Sequence, residues 1–299
     1  MDTEIARKTS EETTGLQVLF SPAEFEALER IDLSETVCVV FDVLRATSSM
    51  TIALSNGAKA IVPVTGIPQA LDVRSRRGDV LLAGERHGLR ISADLTGTIA
   101  FDLGNSPREF TPERVAGRTI AMTTTNGTRA LRACAHAREI LAACFLNLRA
   151  VSGYLVRDMP SSLVLVCSGT KEASAYEDVL CAGALAEALQ DSGNWLDPSD
   201  SAIMAQRLYA DERKDLFAAV SRSQNGRCLL SHPELREDVK FCVQRDLFNI
   251  VPVMTKSGEV VPAPKTPPEL LRAIETTSWR ARGKRPDKPS KSINLKRLS

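Results

Sequence analysis

The sequence predicts an α/β fold, a layered sheet with helices on both faces, and three observations predict it. Short apolar runs recur along the chain. Each gives way to a brief polar stretch. Each polar stretch opens a segment that reads as a helix. Alternation of this kind is the pattern of an α/β sheet. In such sheets ligands bind beyond the carboxyl ends of the strands, so the polar loops are expected to converge on one crevice.

Residues 1–15 read as a polar, flexible tail. Strand-like and helix-like runs alternate from Leu16 to about Ala188. The first clear unit is the strand Val37-Cys38-Val39-Val40-Phe41, then Asp42, Arg45, Thr47, Ser48 and Ser49, then a helix closed by Gly57. Ile61–Val64 and Val80–Ala83 are further short strands, the latter preceded by a Gly78-Asp79 turn. The second unit is the strand Arg118–Met122, the loop Thr123–Thr128 and a helix over RALRACAHA. The third is the strand Leu163–Cys167, the loop Ser168–Glu172 and a helix entered through Tyr176-Glu177-Asp178. Asn194–Ser201 reads as a polar connection; either a soft boundary at 191–201 divides the 16–279 α/β region into two subdomains, or the C-terminal part closes over the same sheet. Ala202–Ser221 reads as one helix, and Pro267-Pro268 opens a last short one, proline being tolerated in a first turn. Residues 280–299 carry eight Lys/Arg against one Asp and read as a basic flexible tail.

Composition sets broad bounds. A chain of 299 residues can bury a substantial core. A net charge of +1 gives no bias toward nucleic acid or a membrane surface. No 18-residue apolar run predicts a transmembrane helix, and the polar start does not read as a signal peptide. Seven cysteines, an odd number without framework or zinc spacing, fit a reducing cytoplasm and mostly read as small buried hydrophobes.

The loops carry the chemistry. Mg²⁺ takes hard oxygen ligands, commonly one or two carboxylates with water and phosphate. The candidates are Asp42, Glu85, Glu177 and Asp178. Each has a plain alternative. Asp42 pairs with Arg45, Glu85 pairs with Arg86, and Glu177 and Asp178 serve a helix first turn. On the anion side, Thr124, Thr125, Asn126, Gly127 and Thr128 offer hydroxyls, an amide and a turning backbone, although an ordinary turn and cap reads the same way. No Lys follows the glycine as in a Walker A loop. Arg45 and Arg86 suit oxyanions through their forked donors. Asn105 and Ser106, held before Pro107, can orient a ligand or form a simple turn. Lys171 reads first as a surface lysine and His87 as a rim histidine. Cys167 lacks the downstream arginine that a cysteine phosphatase loop needs.

At these residues the chain resembles the 2-phosphosulfolactate phosphatase family. The segments FDVLRATSS, GER, FDLGNSP, TTTNGT and YEDVLCAG carry the resemblance, with a weaker match over NGRCLL and EDVKFCVQRDLFNIVP. It spans roughly Val37 to Pro262. It implies an α/β fold, a Mg²⁺-dependent phosphoric monoester hydrolase linked to coenzyme M biosynthesis, and a small acidic phosphate ester as substrate. On this reading Asp42, Arg45 and Glu85 are catalytic, and Asp42, Glu85, Glu177 and Asp178 hold the metal. Arg86, Asn105, Ser106 and Thr124–Thr128 bind substrate. No specific nucleic acid or membrane partner is expected, and a homo-oligomer stays open. Metal-aided attack by water is favoured over a phosphoenzyme, because Asp42 is followed by Val43 and Leu44 rather than by a second aspartate. The competing classes are a non-catalytic binder of an anionic metabolite and an interaction protein that works through the basic tail.

Overall fold

The computed structural model describes residues 15–193 and 196–263. Residues 1–14, the basic tail 280–299 and the helix expected from Pro267 lie outside the described residues.

The described strands are β1 (Gly15–Leu19), β2 (Thr36–Phe41), β3 (Ala60–Pro63), β4 (Leu81–Arg86), β5 (Leu89–Arg90), β6 (Thr119–Thr123), β7 (Glu139–Ala143), β8 (Ser162–Cys167), β9 (Pro252–Met254) and β10 (Val260–Pro262). They form one sheet in the order β1-β8-β2-β7-β9-β10-β3-β6-β4-β5. The pairs β1·β8, β8·β2, β2·β7, β3·β6 and β6·β4 are parallel. The β9–β10 hairpin is antiparallel to β7 and β3 and joins the two parallel halves. Chain beyond residue 201 therefore completes the same sheet to which residues before 191 belong.

The apolar runs alternate sides, as the pleat requires. Val37, Val39 and Phe41 of β2 face one core, with Leu163, Leu165 and the helices Leu148–Arg157 and Tyr176–Asp191. Cys38 and Val40 face the other, with Met50 of the helix Ala46–Ser55 and Leu131 of the helix Gly127–Ala133. Strands buried on both faces explain why β2 and β8 read as continuous hydrophobic runs. The first unit closes as expected, with Gly57 just past the helix at φ 88°.

One expectation fails. Residues 202–221 form two helices, Asp200–Glu212 and Leu216–Ser221, rather than one. The break falls in the polar ADERKD segment, where the Asp215 side chain accepts from the Ala218 amide and starts the second helix.

Candidate active site

The loops after β2, β4, β6 and β8 open onto one cleft of about 460 Å³. A further wall comes from the helix Gln224–Ser231, through Gln224, Asn225, Cys228 and Leu229. Eight of the residues singled out in the sequence line it: Asp42, Arg45, Glu85, Arg86, Asn105, Thr124, Thr125 and Asn126. His87 and Lys171 line it as well.

Asp42 leaves the end of β2 and is almost fully buried. Its Oδ1 accepts from the Ala46 amide at 3.0 Å, at the start of the helix Ala46–Ser55. Its pKa is pushed up to about 6, first by burial and then by the nearby Glu85 and Glu177 charges, against the Ala46 hydrogen bond and Arg45. Glu85 closes β4. Its Oε1 accepts from the Thr125 amide at 3.0 Å and the Thr125 hydroxyl at 2.8 Å, and its Oε2 from the Gly88 amide at 2.8 Å. Glu85 thus ties the hydroxyl-rich loop to the turn after β4, instead of pairing with Arg86. Arg86 donates to the Glu85 carbonyl and to Thr123 Oγ1, so its charge meets only neutral groups.

Glu177 and Asp178 lie behind the lining and open the helix Tyr176–Asp191. The dipole account is incomplete for them. Asp178 accepts from the Val43 amide at 2.8 Å and the Gly169 amide at 3.2 Å, so it ties the loop after β2 to the loop after β8. Glu177 Oε1 accepts from Asn225 at 2.6 Å, while its buried Oε2 has no partner among the described residues. Burial raises both carboxyls above their usual range, and at Asp178 the Glu177 and Asp42 charges add to it.

Arg45 does not pair with Asp42. Its Nη1 donates to Asp238 at 2.7 Å and its Nη2 to the Gly88 carbonyl at 2.5 Å. Asp238, fully buried on the helix Arg236–Cys242, also accepts from Ser106 Oγ at 2.8 Å and Arg108 Nε at 2.7 Å. Ser106 therefore braces Arg45's partner and does not line the cleft. Thr128 turns inward and donates to the Thr124 carbonyl. Gly127 sits beneath Asp42: a Cβ there would stand 2.5 Å from Asp42 Oδ2. Asn105 keeps a buried Oδ1 without a partner.

Asp238 and Asn225 escaped the reading of single motifs. Their signal lay in the weak C-terminal resemblance, since both fall within NGRCLL and EDVKFC.

Among the described residues no three His, Cys, Asp or Glu side chains close into a metal-ligating group. Magnesium does not require one, because it commonly takes one or two carboxylates and fills its shell with water and phosphate oxygens. Asp42 Oδ2 and Glu177 Oε2 are the carboxylate oxygens that no protein donor claims. Both are hard oxygen donors of the kind such an ion takes, and the Glu177 charge is felt at Asp42.

An α/β sheet that gathers buried carboxylates, hydroxyl-rich loops and arginine at its strand ends suits phosphate-ester chemistry, and similarity to known proteins places the chain among phosphoric monoester hydrolases. The chain belongs to the 2-phosphosulpholactate phosphatase family, whose sequence model matches residues 24–257. It is 38% identical over 238 residues to a probable 2-phosphosulfolactate phosphatase of Caldanaerobacter subterraneus, covering 79% of this chain and 94% of that protein. It is 40% identical over 229 residues to the corresponding protein of Pseudothermotoga lettingae, covering 76% and 93%. A Synechococcus relative with the same description is 39% identical over 224 residues, covering 74% and 89%. No helix among the described residues is long and apolar enough to cross a membrane.

Proposed function

We propose that this chain hydrolyses 2-phosphosulfolactate, the substrate its relatives' names carry, to sulfolactate and phosphate, with Mg²⁺ as cofactor. The observation that carries the reading is Asp42: a carboxylate raised first by burial and then by two acidic neighbours, in a cleft lined by Arg86 and Thr124–Asn126. Mutual repulsion of that kind is relieved by a cation. Asp42 and Glu177 would hold it, with Glu85 and Asp178 supplying field and anchoring the loops. When bound, the ion would withdraw charge from the phosphoryl oxygens and lower the pKa of a water.

The chain's own groups do the rest. Arg86 presents forked donors whose charge no carboxylate cancels. Thr124 and Asn126 bring a hydroxyl and an amide to the same cleft, while the Thr125 donors are held by Glu85. Asn105 lines the same cleft, and its buried Oδ1 has no partner among the described residues. A cysteine mechanism has little support, because Cys167 is fully buried and its thiol is pushed well up by burial and by the Asp178 charge. A non-catalytic anion binder would gain nothing from the acidic floor. Seven free cysteines, Cys228 exposed at the cleft among them, favour a cytoplasmic setting.

The test is phosphate release from a panel of phosphate monoesters, 2-phosphosulfolactate included, with Mg²⁺ and with chelator. Turnover of 2-phosphosulfolactate above simpler esters supports the assignment. Absence of turnover on every ester with Mg²⁺ or Mn²⁺ would sink it.

A further inference from the structure

The cleft has an acidic floor and a cationic rim, and the rim is not used up by the protein. Among the described residues that line it, three are cations: Arg45, Arg86 and Lys171. Arg45 is bound to Asp238, whose charge it shares with Arg108. Arg86 is held by a carbonyl and a hydroxyl beside the phosphate-binding loop. Among the described residues, Lys171 has no side-chain hydrogen bond or ion pair.

Lys171 is nonetheless held in place by its backbone. It sits in the left-handed region at φ 57°, an uncommon conformation for a side chain of its kind. The loop around it is fixed from several sides. Thr170 and Ala173 exchange backbone hydrogen bonds at 2.7 and 3.0 Å across Lys171. Asn126 Nδ2 donates to the Gly169 carbonyl at 2.6 Å, and Asn225 donates to Thr170 Oγ1 at 2.7 Å. The Gly169 amide donates to Asp178. Strained backbone held by its surroundings concentrates at ligand clamps. Lys171 is exposed at the rim of the cleft, and the loop fixes its backbone there.

We propose that Lys171 is the specificity-determining cation of the cleft, taking the acidic end of the substrate remote from the phosphate. This rests on the phosphatase reading above. A phosphate ester that also bears sulfonate and carboxylate brings more negative charge than the floor cation and Arg86 neutralise. The rim ammonium, adjacent to the loop that Asn126 pins, is the remaining match.

The experiment compares wild type, Lys171→Ala and Lys171→Arg on three esters with Mg²⁺: 2-phosphosulfolactate, 2-phospholactate without the sulfonate, and p-nitrophenyl phosphate without either acid. Sulfolactate and inorganic phosphate are titrated by calorimetry in parallel. Lys171→Ala should raise KM for 2-phosphosulfolactate about tenfold or more and weaken sulfolactate equally, because a charge-assisted contact is lost. Its kcat, its p-nitrophenyl phosphate kinetics and its phosphate affinity should stay near wild type, and Lys171→Arg should recover most of the loss. An effect that persists on 2-phospholactate assigns the carboxylate to Lys171; one that disappears assigns the sulfonate. Equal losses on all three esters, or no loss on any, would overturn the inference. Wild type that cleaves other esters but not 2-phosphosulfolactate would overturn the functional reading instead. The inference then falls if sulfolactate affinity is the same with and without Lys171.

Discussion

Arg45 and Asp238 form a 2.7 Å salt bridge across 193 positions of sequence, with side chains 2% and 0% exposed. The pair fastens the helix Arg236–Cys242 to the start of the helix that follows Asp42. It therefore joins the helix packed beside the cleft's C-terminal wall to the floor. Removing one partner of a buried pair leaves the other charge uncompensated. Asp238→Asn should destabilise the protein by about 3–5 kcal/mol. The apolar pair Arg45→Met with Asp238→Leu should cost less than the single change. Chemical denaturation measures both, and an unchanged midpoint for Asp238→Asn would show that Ser106 and Arg108 hold the helix without the pair.

Asp42→Asn keeps the acceptor for the Ala46 amide and removes the charge. Turnover should fall by about two orders of magnitude or more, with near-native folding. The pH behaviour follows from the sign of the shift. A folded pKa of about 6, above the ordinary 3.8, means the folded state binds this proton more tightly than the unfolded one. That contribution to stability is present below about pH 3.8 and is lost as pH rises through about 6. Metal-free Asp42→Asn should therefore lose less stability than wild type between pH 4 and pH 7. Parallel stability curves for the two proteins would refute the burial account. The same titration places the acid limb of kcat/KM for wild type near pH 6 without saturating metal.

Chelation tests the floor. Activity should vanish with EDTA and return with Mg²⁺ or Mn²⁺, because hard oxygen donors suit those ions. The added ion should also raise the thermal midpoint more at pH 8 than at pH 5.5, since Asp42 must lose its proton to bind it. Full turnover in a sample verified to be metal-free would refute this.

Cys167→Ala should retain most activity. The thiol lies in the core with Val39 and Leu165, away from the cleft lining. The loss should be a stability cost of about 1 kcal/mol from the small cavity. A folded variant without turnover would restore the cysteine nucleophile.

The repeated strand–loop–helix units were legible because each part has a local cause. β2, β6 and β8 are apolar runs, and the helix over 46–55 ends just before Gly57. The β9–β10 hairpin was not legible, because its strands are three residues long and its insertion between β7 and β3 is a long-range choice. The same holds within the site. Asp42, Glu85 and the Thr124–Asn126 loop announce themselves by composition. Asp238 looks like any acid in a helix first turn, and only the fold brings it to Arg45. Ser106 looked like a ligand donor, yet its bond to Asp238 is also set at long range.

Gly127 makes the sharpest geometric prediction. The residue opens the helix Gly127–Ala133 directly beneath Asp42, and its φ is not left-handed, so the backbone itself tolerates alanine. Space does not: an added Cβ would lie 2.5 Å from Asp42 Oδ2 and 2.7 Å from Ala46 Cβ. Both are inside contact distance, and one of them is the carboxylate oxygen left free for a cation. The Asp42 side chain is fixed by the Ala46 amide and cannot swing away without losing that bond. Gly127→Ala should therefore displace the carboxylate and lower turnover by about tenfold or more, with a stability loss of about 1–3 kcal/mol from overpacking. The metal concentration needed for half-maximal activity should rise, which separates a displaced ligand from general destabilisation. An alanine variant with wild-type turnover and wild-type metal dependence would mean that the helix shifts to accommodate the methyl group and that the approach of Gly127 to Asp42 is incidental.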